Sequence, residues 1–449
     1  MNWSILKKIK DKKSYSIIIF LVIFCVTLGY SFYHRIEPVV DAKAYDKIAV
    51  NLVNGFGFRE DRTQNYQFDT AIIRAGPGYE FFLATIYNVF GYHYEAVWII
   101  QAILHVLSAL LLFFISRKLF VEKGEQIGLI AAGLFGFHPD LIEISAMLMT
   151  ETLYLFFIIL VAWFLVDSYQ ALRRTFWHSI VFGLVTGFAI LTRPTVILFI
   201  VVIGAFCLYQ KKYRILFLFG LGLVATLTPW VIHNYLIFHQ FILTTLIGSY
   251  NLWVGNTLLA NGGQIAGGFN PLTTYTAVHG FFNLKEQANQ EFLTFVFTYP
   301  FVFLKLVALR FIRYFSLIRP MGFWFYQTGF SQALFVASSA FAQALLFVCG
   351  FSGMLVAWRT RQLLWRYLVI LALMAPIPLI ATVVESRYRF QIYPFLALFG
   401  GYAIVQWEQK LSWFKQRYFM IPFLFFVIVS IIDLFLFSDV VLEHLNRLF

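Results

Sequence analysis

The chain has 449 residues, of which 60% are hydrophobic, 20% aromatic and 12% charged, and its mean hydropathy is +0.76. A soluble domain carries about 25% charged residues, so this composition leaves too little polar surface for a water-soluble particle of the same size. The net charge of +12 is divided among short basic breaks between apolar runs, with no base-stacking module, so it points to cytoplasmic membrane loops and away from nucleic acid.

Lys7, Lys8, Lys10, Lys12 and Lys13 precede the first apolar run, Ser16 to Tyr33. The positive-inside rule then puts the N-terminus, residues 1–14, in the cytoplasm. The run has no small-residue cleavage site and is read as a retained helix. Further apolar runs follow near the ~20 residues needed to cross a bilayer, and only helices can satisfy their backbone groups there. The last is Phe419 to Phe437. Cys25, Cys207 and Cys349 all lie inside such runs and read as small packing residues, with neither a disulfide nor a metal spacing.

Basic breaks at Arg117–Lys118–Lys123, Arg173–Arg174, Lys211–Lys212–Arg214, Arg359–Arg361–Arg366 and Lys410–Lys415–Arg417 are expected in the cytoplasm. Two long loops, 34–95 and 238–330, then fall on the outer face, with shorter turns at His138–Pro139, Thr192–Arg193–Pro194 and Glu385 to Arg389. Residues 292–317 are apolar enough to cross but contain Lys305, Arg310 and Arg313, with Arg319 just beyond. Crossing there would turn the last basic loops outward, so this segment is expected to lie in the outer interface or dip into it. The predicted fold class is all-α: a polytopic transmembrane bundle of about eleven spans with juxtamembrane helices on its outer face. Residues 15–403 form its main module, and 404–449 add a cytoplasmic loop and a last span.

The outer loops hold the residues with chemical potential. Asp41 follows the exit of the first span and starts a stretch that reads as an amphipathic helix stopped by Gly55, with Tyr45 inside it. A carboxylate there is favoured by the helix dipole, and capping alone would account for it. Arg74 precedes Pro77–Gly78–Tyr79, which reads as a turn back to the membrane, and it suits either a lipid phosphate or a snorkelling role. Glu151 heads an apolar run and Arg193 sits between two spans; ionisable groups at membrane depth are functional candidates. Trp230 and Tyr235 suit an interfacial aromatic belt and flank His233 and Asn234, while Asn251 and Asn256 could hydrogen-bond a sugar or serve as turn residues. Arg387 and Arg389, next to Glu385, oppose the positive-inside trend, and arginine is the natural bidentate partner of phosphate. An acid and several cations thus gather on one face of the membrane, which suits a reaction on a lipid-linked phosphate.

The order Asp41-x3-Tyr45, Asn51-Leu-x2-Gly55-x-Gly57-Phe58, Thr70-Ala-x5-Pro77-Gly-Tyr79, Pro139, Glu151, Arg193-Pro, Pro229-Trp-x2-His-Asn234-Tyr, Asn251-Leu-x2-Gly-Asn256 and Arg387-Tyr-Arg389 resembles bacterial glycosyltransferase family 39. That group has the GT-C fold and includes protein O-mannosyltransferases and the lipid A aminoarabinose transferase. The resemblance runs from about Tyr30 to Ala403. It implies transfer of a sugar from a polyprenyl monophosphate to an outer-face acceptor with inversion, and it makes Asp41 the general base. It gives Arg74, Arg387 and Arg389 the donor phosphate, with Arg310 and Arg313 as further candidates. Tyr45, Tyr79, Glu151, Arg193, His233, Asn234, Asn251, Asn256 and Glu385 become other residues of the site. The acceptor would be a protein hydroxyl, a glycan polymer or a glycolipid. Three departures stand out: Ala42 follows Asp41 where an acidic pair is common, Ala75–Gly76 separate Arg74 from the Pro-Gly-Tyr, and His233 replaces a frequent arginine. A divalent metal is compatible with this chemistry, but the sequence shows no ligand set and no cofactor site. A flippase for a lipid-linked intermediate, or a non-catalytic assembly subunit, would use the same cationic surface without needing Asp41 as a base.

Overall fold

A computed structural model describes residues 3–170, 176–263, 271–317, 329–409 and 417–436, and every regular element among them is a helix. Arg319 and the basic clusters Arg173–Arg174 and Lys410–Lys415 lie outside the described residues. The first half runs α1 (Trp3–His34), α2 (Asp41–Val53), α3 (Pro77–Phe90), α4 (Tyr94–Leu119), α5 (Gly124–Gly136), α6 (Pro139–Ser145), α7 (Glu151–Gln170), α8 (Phe176–Thr192), α9 (Leu198–Tyr209) and α10 (Tyr213–Phe238). The second half runs α11 (Ile247–Gly255), α12 (Pro271–His279), α13 (Leu284–Thr298), α14 (Pro300–Phe315), α15 (Gly329–Arg359), α16 (Leu363–Met374), α17 (Ile377–Ala381), α18 (Tyr393–Gln409) and α19 (Arg417–Leu436).

Among the described residues, seven helical stretches are long and apolar enough to cross a membrane, and up to nine if each of two bent pairs is one span. The chain is therefore a multi-pass membrane protein. Two shorter apolar helices, Phe176–Thr192 and Pro194–Tyr209, lie beside these candidates, which with them approach the expected count of about eleven. The pair α5–α6 bends by 60°, and α13–α14 by 107°, so no straight helix runs through 292–317.

Small residues let the helices approach closely, as membrane bundles require where no hydrophobic force drives helix onto helix. A Cβ at Gly183 of α8 would lie 2.0 Å from the Phe219 carbonyl oxygen of α10, and one at Gly353 of α15 would lie 1.9 Å from that of Phe399 in α18.

At one end of the bundle the connecting segments knit together. Asp46 of α2 accepts hydrogen bonds from the hydroxyls of Tyr87 (2.6 Å), Tyr92 (2.7 Å) and Tyr94 (3.1 Å), which ties α2 to the end of α3 and the start of α4. The buried Asp69 accepts from the backbone N–H groups of Glu60, Asp61 and Ala71 at 2.8–2.9 Å and so fixes the coil before α3. That coil pairs with residues after α10 and α12: Leu246 N–H donates to the Ile72 carbonyl (2.7 Å) and Phe281 N–H to that of Gln67 (2.6 Å).

Two local expectations are corrected. Pro77–Gly78–Tyr79 is the first turn of α3, because proline at the first helical position has its φ preset and its missing N–H costs nothing. Trp230 is buried, and its indole N–H donates to the Thr244 carbonyl (2.5 Å), so it braces a loop inside the protein; Tyr235 is exposed. Gly55 does follow the end of α2, with φ +77°, a conformation that favours glycine.

Candidate functional site

Asp41 is the first residue of α2, just after the link from α1. No side chain caps that helix start. The carboxylate bonds to arginines instead: Oδ1 accepts from Nη1 of Arg74 (3.3 Å) and Oδ2 from Nη2 of Arg387. Arg74 follows the short turn Thr70–Ile73, and Arg387 belongs to the turn Ser386–Ile392 between α17 and α18. Arg74 also bonds Oε2 of Glu60 through Nη2 (2.6 Å) and Nε (3.0 Å). A third arginine, Arg193 at the end of α8, bonds Oε1 of Glu151 at the start of α7 (2.5 Å) and lies over the Tyr388 ring at 5.0 Å. Three arginines thus meet three carboxylates, brought from six separate stretches of chain.

Burial pushes the Asp41 carboxyl up, but Arg387 and then Arg74 and Arg193 pull it down further, and the balance lies below the ordinary 3.8. Asp41 is therefore ionised at neutral pH. Burial, with Asp41 adding to it, holds the Tyr45 hydroxyl well above its usual range, so this tyrosine stays neutral. Tyr45 packs edge-on against Tyr79 with ring centres 5.6 Å apart. The Tyr79 hydroxyl donates to Gln101 (2.9 Å), whose amide donates to the carbonyls of Ser145 and Met147 (2.8 Å each), steadying the segment that leads to Glu151.

Beside the ion cluster is a narrow, water-sized recess lined by Glu151, Tyr154, Arg193, Thr195, Arg387 and Gln391, among others. The hydroxyls of Tyr154 and Thr195 contact one another (2.9 Å) and both donate to Oε1 of Gln391 (3.0 and 3.1 Å). Glu60, Tyr154, Thr195 and Gln391 were not singled out by the sequence. Glu60 lies in a loop dense in charge, where spacing does not tell which acid turns inward.

The other candidates sit in different settings. Arg310 is fully buried and donates to Asn256 Oδ1 (3.0 Å), to the Ala381 carbonyl (3.1 Å) and to that of Gly255, joining the ends of α11 and α17. Arg389 is buried and donates to the Ser316 carbonyl (2.5 Å), and its charge, like that of Arg313, acts on Asp433 of α19. Glu385 precedes the Arg387 turn, and its charge acts on Arg313 and Tyr388. Asn234 holds the carbonyls of Ile242 and Thr244 (3.0 Å each), and His233 stacks on Trp230 with ring centres 4.6 Å apart. Asn251 lies within α11. Of the proposed phosphate ligands, Arg74 and Arg387 are therefore bonded to Asp41, while Arg310, Arg313 and Arg389 have other partners. Among the described residues no group of three or more His, Cys, Asp or Glu side chains could hold a metal ion.

Residues 74–233 match the family described as dolichyl-phosphate-mannose-protein mannosyltransferase. Comparison with curated proteins by sequence gives no match. In the solved structures, ArnT from Cupriavidus metallidurans in the apo state is similar over 89% of this chain, with a TM-score of 0.52 and 14% identity. The same protein bound to undecaprenyl phosphate is similar over 88%, with a TM-score of 0.50 and 14% identity. The apo oligosaccharyltransferase of Archaeoglobus fulgidus is similar over 96%, with a TM-score of 0.53 and 14% identity. The match spans 62% of the length of ArnT and 55% of that of the oligosaccharyltransferase. At this identity the likeness is one of fold, and the helical bundle with Asp41 at the exit of its first span is of the GT-C type.

Proposed function

We propose that this chain is a glycosyltransferase that moves a sugar from a polyprenyl monophosphate to an acceptor hydroxyl on the extracytoplasmic face of the inner membrane. One observation carries the reading: an ionised carboxylate at the exit of the first span is held between Arg74 and Arg387, from opposite ends of the chain. ArnT, similar in fold, has been seen bound to undecaprenyl phosphate, and the family matched over 74–233 is described by a dolichyl-phosphate sugar donor.

Asp41 takes the proton of the acceptor hydroxyl as that oxygen attacks the anomeric carbon, and the sugar–phosphate bond breaks on the opposite side, with inversion. A positioned base contributes about 10²–10⁴ in rate. The lipid phosphate leaves with growing negative charge, and fixed cations aimed at it supply about 10²–10³ more. Arg387 and Arg74, bonded to Asp41, and the neighbouring Arg193 are the cations we assign to that task. The acceptor is a protein, a glycan polymer or a glycolipid.

The test is sugar transfer by the purified protein and by Asp41→Asn, using a panel of polyprenyl-phosphate sugars with membrane extract as acceptor. The expected result is a loss of about 10²–10⁴ in rate with donor binding kept. Undiminished transfer by Asp41→Asn overturns the base assignment. A wild-type protein inert with every donor overturns the transferase reading in favour of a flippase or an assembly subunit.

A further inference from the structure

Glu60 is bound more firmly than a surface ion pair usually is. Its Oε2 receives three donors: Arg74 Nη2 (2.6 Å), Arg74 Nε (3.0 Å) and Thr70 Oγ1 (2.6 Å). Its backbone is fixed as well. The N–H groups of Glu60 and Asp61 bond the two oxygens of Asp69, and one of those oxygens also caps the turn Thr70–Ile73 that leads to Arg74. One buried carboxylate therefore locks both ends of the Glu60–Arg74 pair to each other.

Arg74 is shared unequally as a result. It makes two shorter contacts to Glu60 and one longer contact, 3.3 Å, to Oδ1 of Asp41. Asp41 Oδ2 is closely held by Arg387. Oδ1 is thus the less encumbered oxygen, the one able to accept a proton from an acceptor hydroxyl. The three carboxylates also balance the three arginines before any donor arrives, so a phosphate reaching Arg74 must compete with Glu60 for it.

We infer that Glu60 is a positioning residue: it holds Arg74 back from Asp41, keeping Oδ1 open to the acceptor, and it limits the grip of Arg74 on the lipid phosphate so that product can leave. The inference rests on the proposed transferase reading but can be tested apart from it, because it predicts binding as well as turnover.

The experiment measures undecaprenyl monophosphate binding and transfer kinetics for wild type, Glu60→Gln, Glu60→Asp, Arg74→Gln and the Glu60→Gln/Arg74→Gln double variant. Expected are about tenfold tighter lipid-phosphate binding by Glu60→Gln together with about tenfold lower kcat, near-wild-type behaviour of Glu60→Asp, and a double variant indistinguishable from Arg74→Gln alone. A merely structural role weakens binding in Glu60→Gln and multiplies with Arg74→Gln, and either of these results, or unchanged binding, overturns the inference. If wild type transfers nothing, the transferase reading fails, while the binding series still decides the role of Glu60.

Discussion

Asp41 and Glu80 are carboxylic acids on neighbouring helices, and their surroundings push them in opposite directions. Asp41 is held below its ordinary range by its arginines. Its ion pairs therefore stabilise the fold at neutral pH and lose that contribution as pH falls through its lowered value, under 3.8. Glu80 is fully buried in the first turn of α3, neither of its carboxyl oxygens has a partner on another residue, and burial pushes it to about 8. The sign is then reversed. Below 4.5 both folded and unfolded chains hold the proton; between 4.5 and about 8 only the folded chain does, so stability declines across that window and levels off above it. Glu80→Gln keeps the shape without the titration. It is expected to raise stability at pH 8 by about 1–3 kcal/mol and to change little at pH 4, read as melting temperature in detergent at each pH. An equal shift at both values would show that desolvation of the carboxylate is not what limits this site. Asp41, Arg74 and Arg387 could be picked out in the sequence because each departs from a pattern: an acid at a span exit, and arginines in loops that charge bias assigns to the outer face, where few are expected. Glu60 and Glu80 were not, since what distinguishes them is burial and partners supplied by the folded chain.

Among the elements, the junction of α3 with α8 sets the spacing of two site arginines. Gly76 lies two residues after Arg74, and the Leu191–Thr192 backbone it touches lies just before Arg193. A Cβ at Gly76 would fall 2.1 Å from the Leu191 carbonyl oxygen, and one at Gly78 would fall 2.8 Å from Thr192 Oγ1. Backbone atoms cannot yield as a flexible side chain can. Gly76→Ala is therefore expected to cost about 1–3 kcal/mol and to separate Arg74 from Arg193, which weakens binding of undecaprenyl monophosphate. Gly133→Ala in α5 is the control, since nothing lies within 4 Å of its Cβ, and it is expected to be neutral or slightly stabilising. Equal behaviour of the two variants would refute the spacing argument. The apolar spans and the helix beginning at Asp41 could be read from periodicity and length. The Pro77 helix start could not, because Ala-Gly-Pro-Gly-Tyr has the composition of a turn. Only the packing of Gly76 and Gly78 against α8 shows why glycines belong there.

At the scale of the whole molecule, the site's function depends on which side of the membrane carries it. The Asp41 cluster shares one end of the bundle with the start of α13, because Gln67 pairs with Phe281 and Ile72 with Leu246. Lys118, at the end of the α4 span, pairs with Asp167 near the end of the α7 span, and Asp167 also meets His178 at the start of α8. Glu122 lies in the link between α4 and α5, in the basic stretch expected in the cytoplasm. With native cysteines replaced, Lys285→Cys should react with a membrane-impermeant maleimide in intact cells, and Glu122→Cys only after permeabilisation. Both positions are exposed, so access depends on sidedness rather than on burial. The reverse pattern would put Asp41 in the cytoplasm and remove the extracytoplasmic acceptor from the proposal. Reaction of both in intact cells would mean that the chain crosses an even number of times between residues 122 and 285, so that the bent pair α5–α6 or one of the helices from α7 to α10 does not cross, and that charge bias misassigns one end. For the loops that follow α14, the Arg387 turn among them, the sequence could pose this question but not answer it, because the segment that decides their parity, 292–317, combines the hydropathy of a span with the cations of an interface.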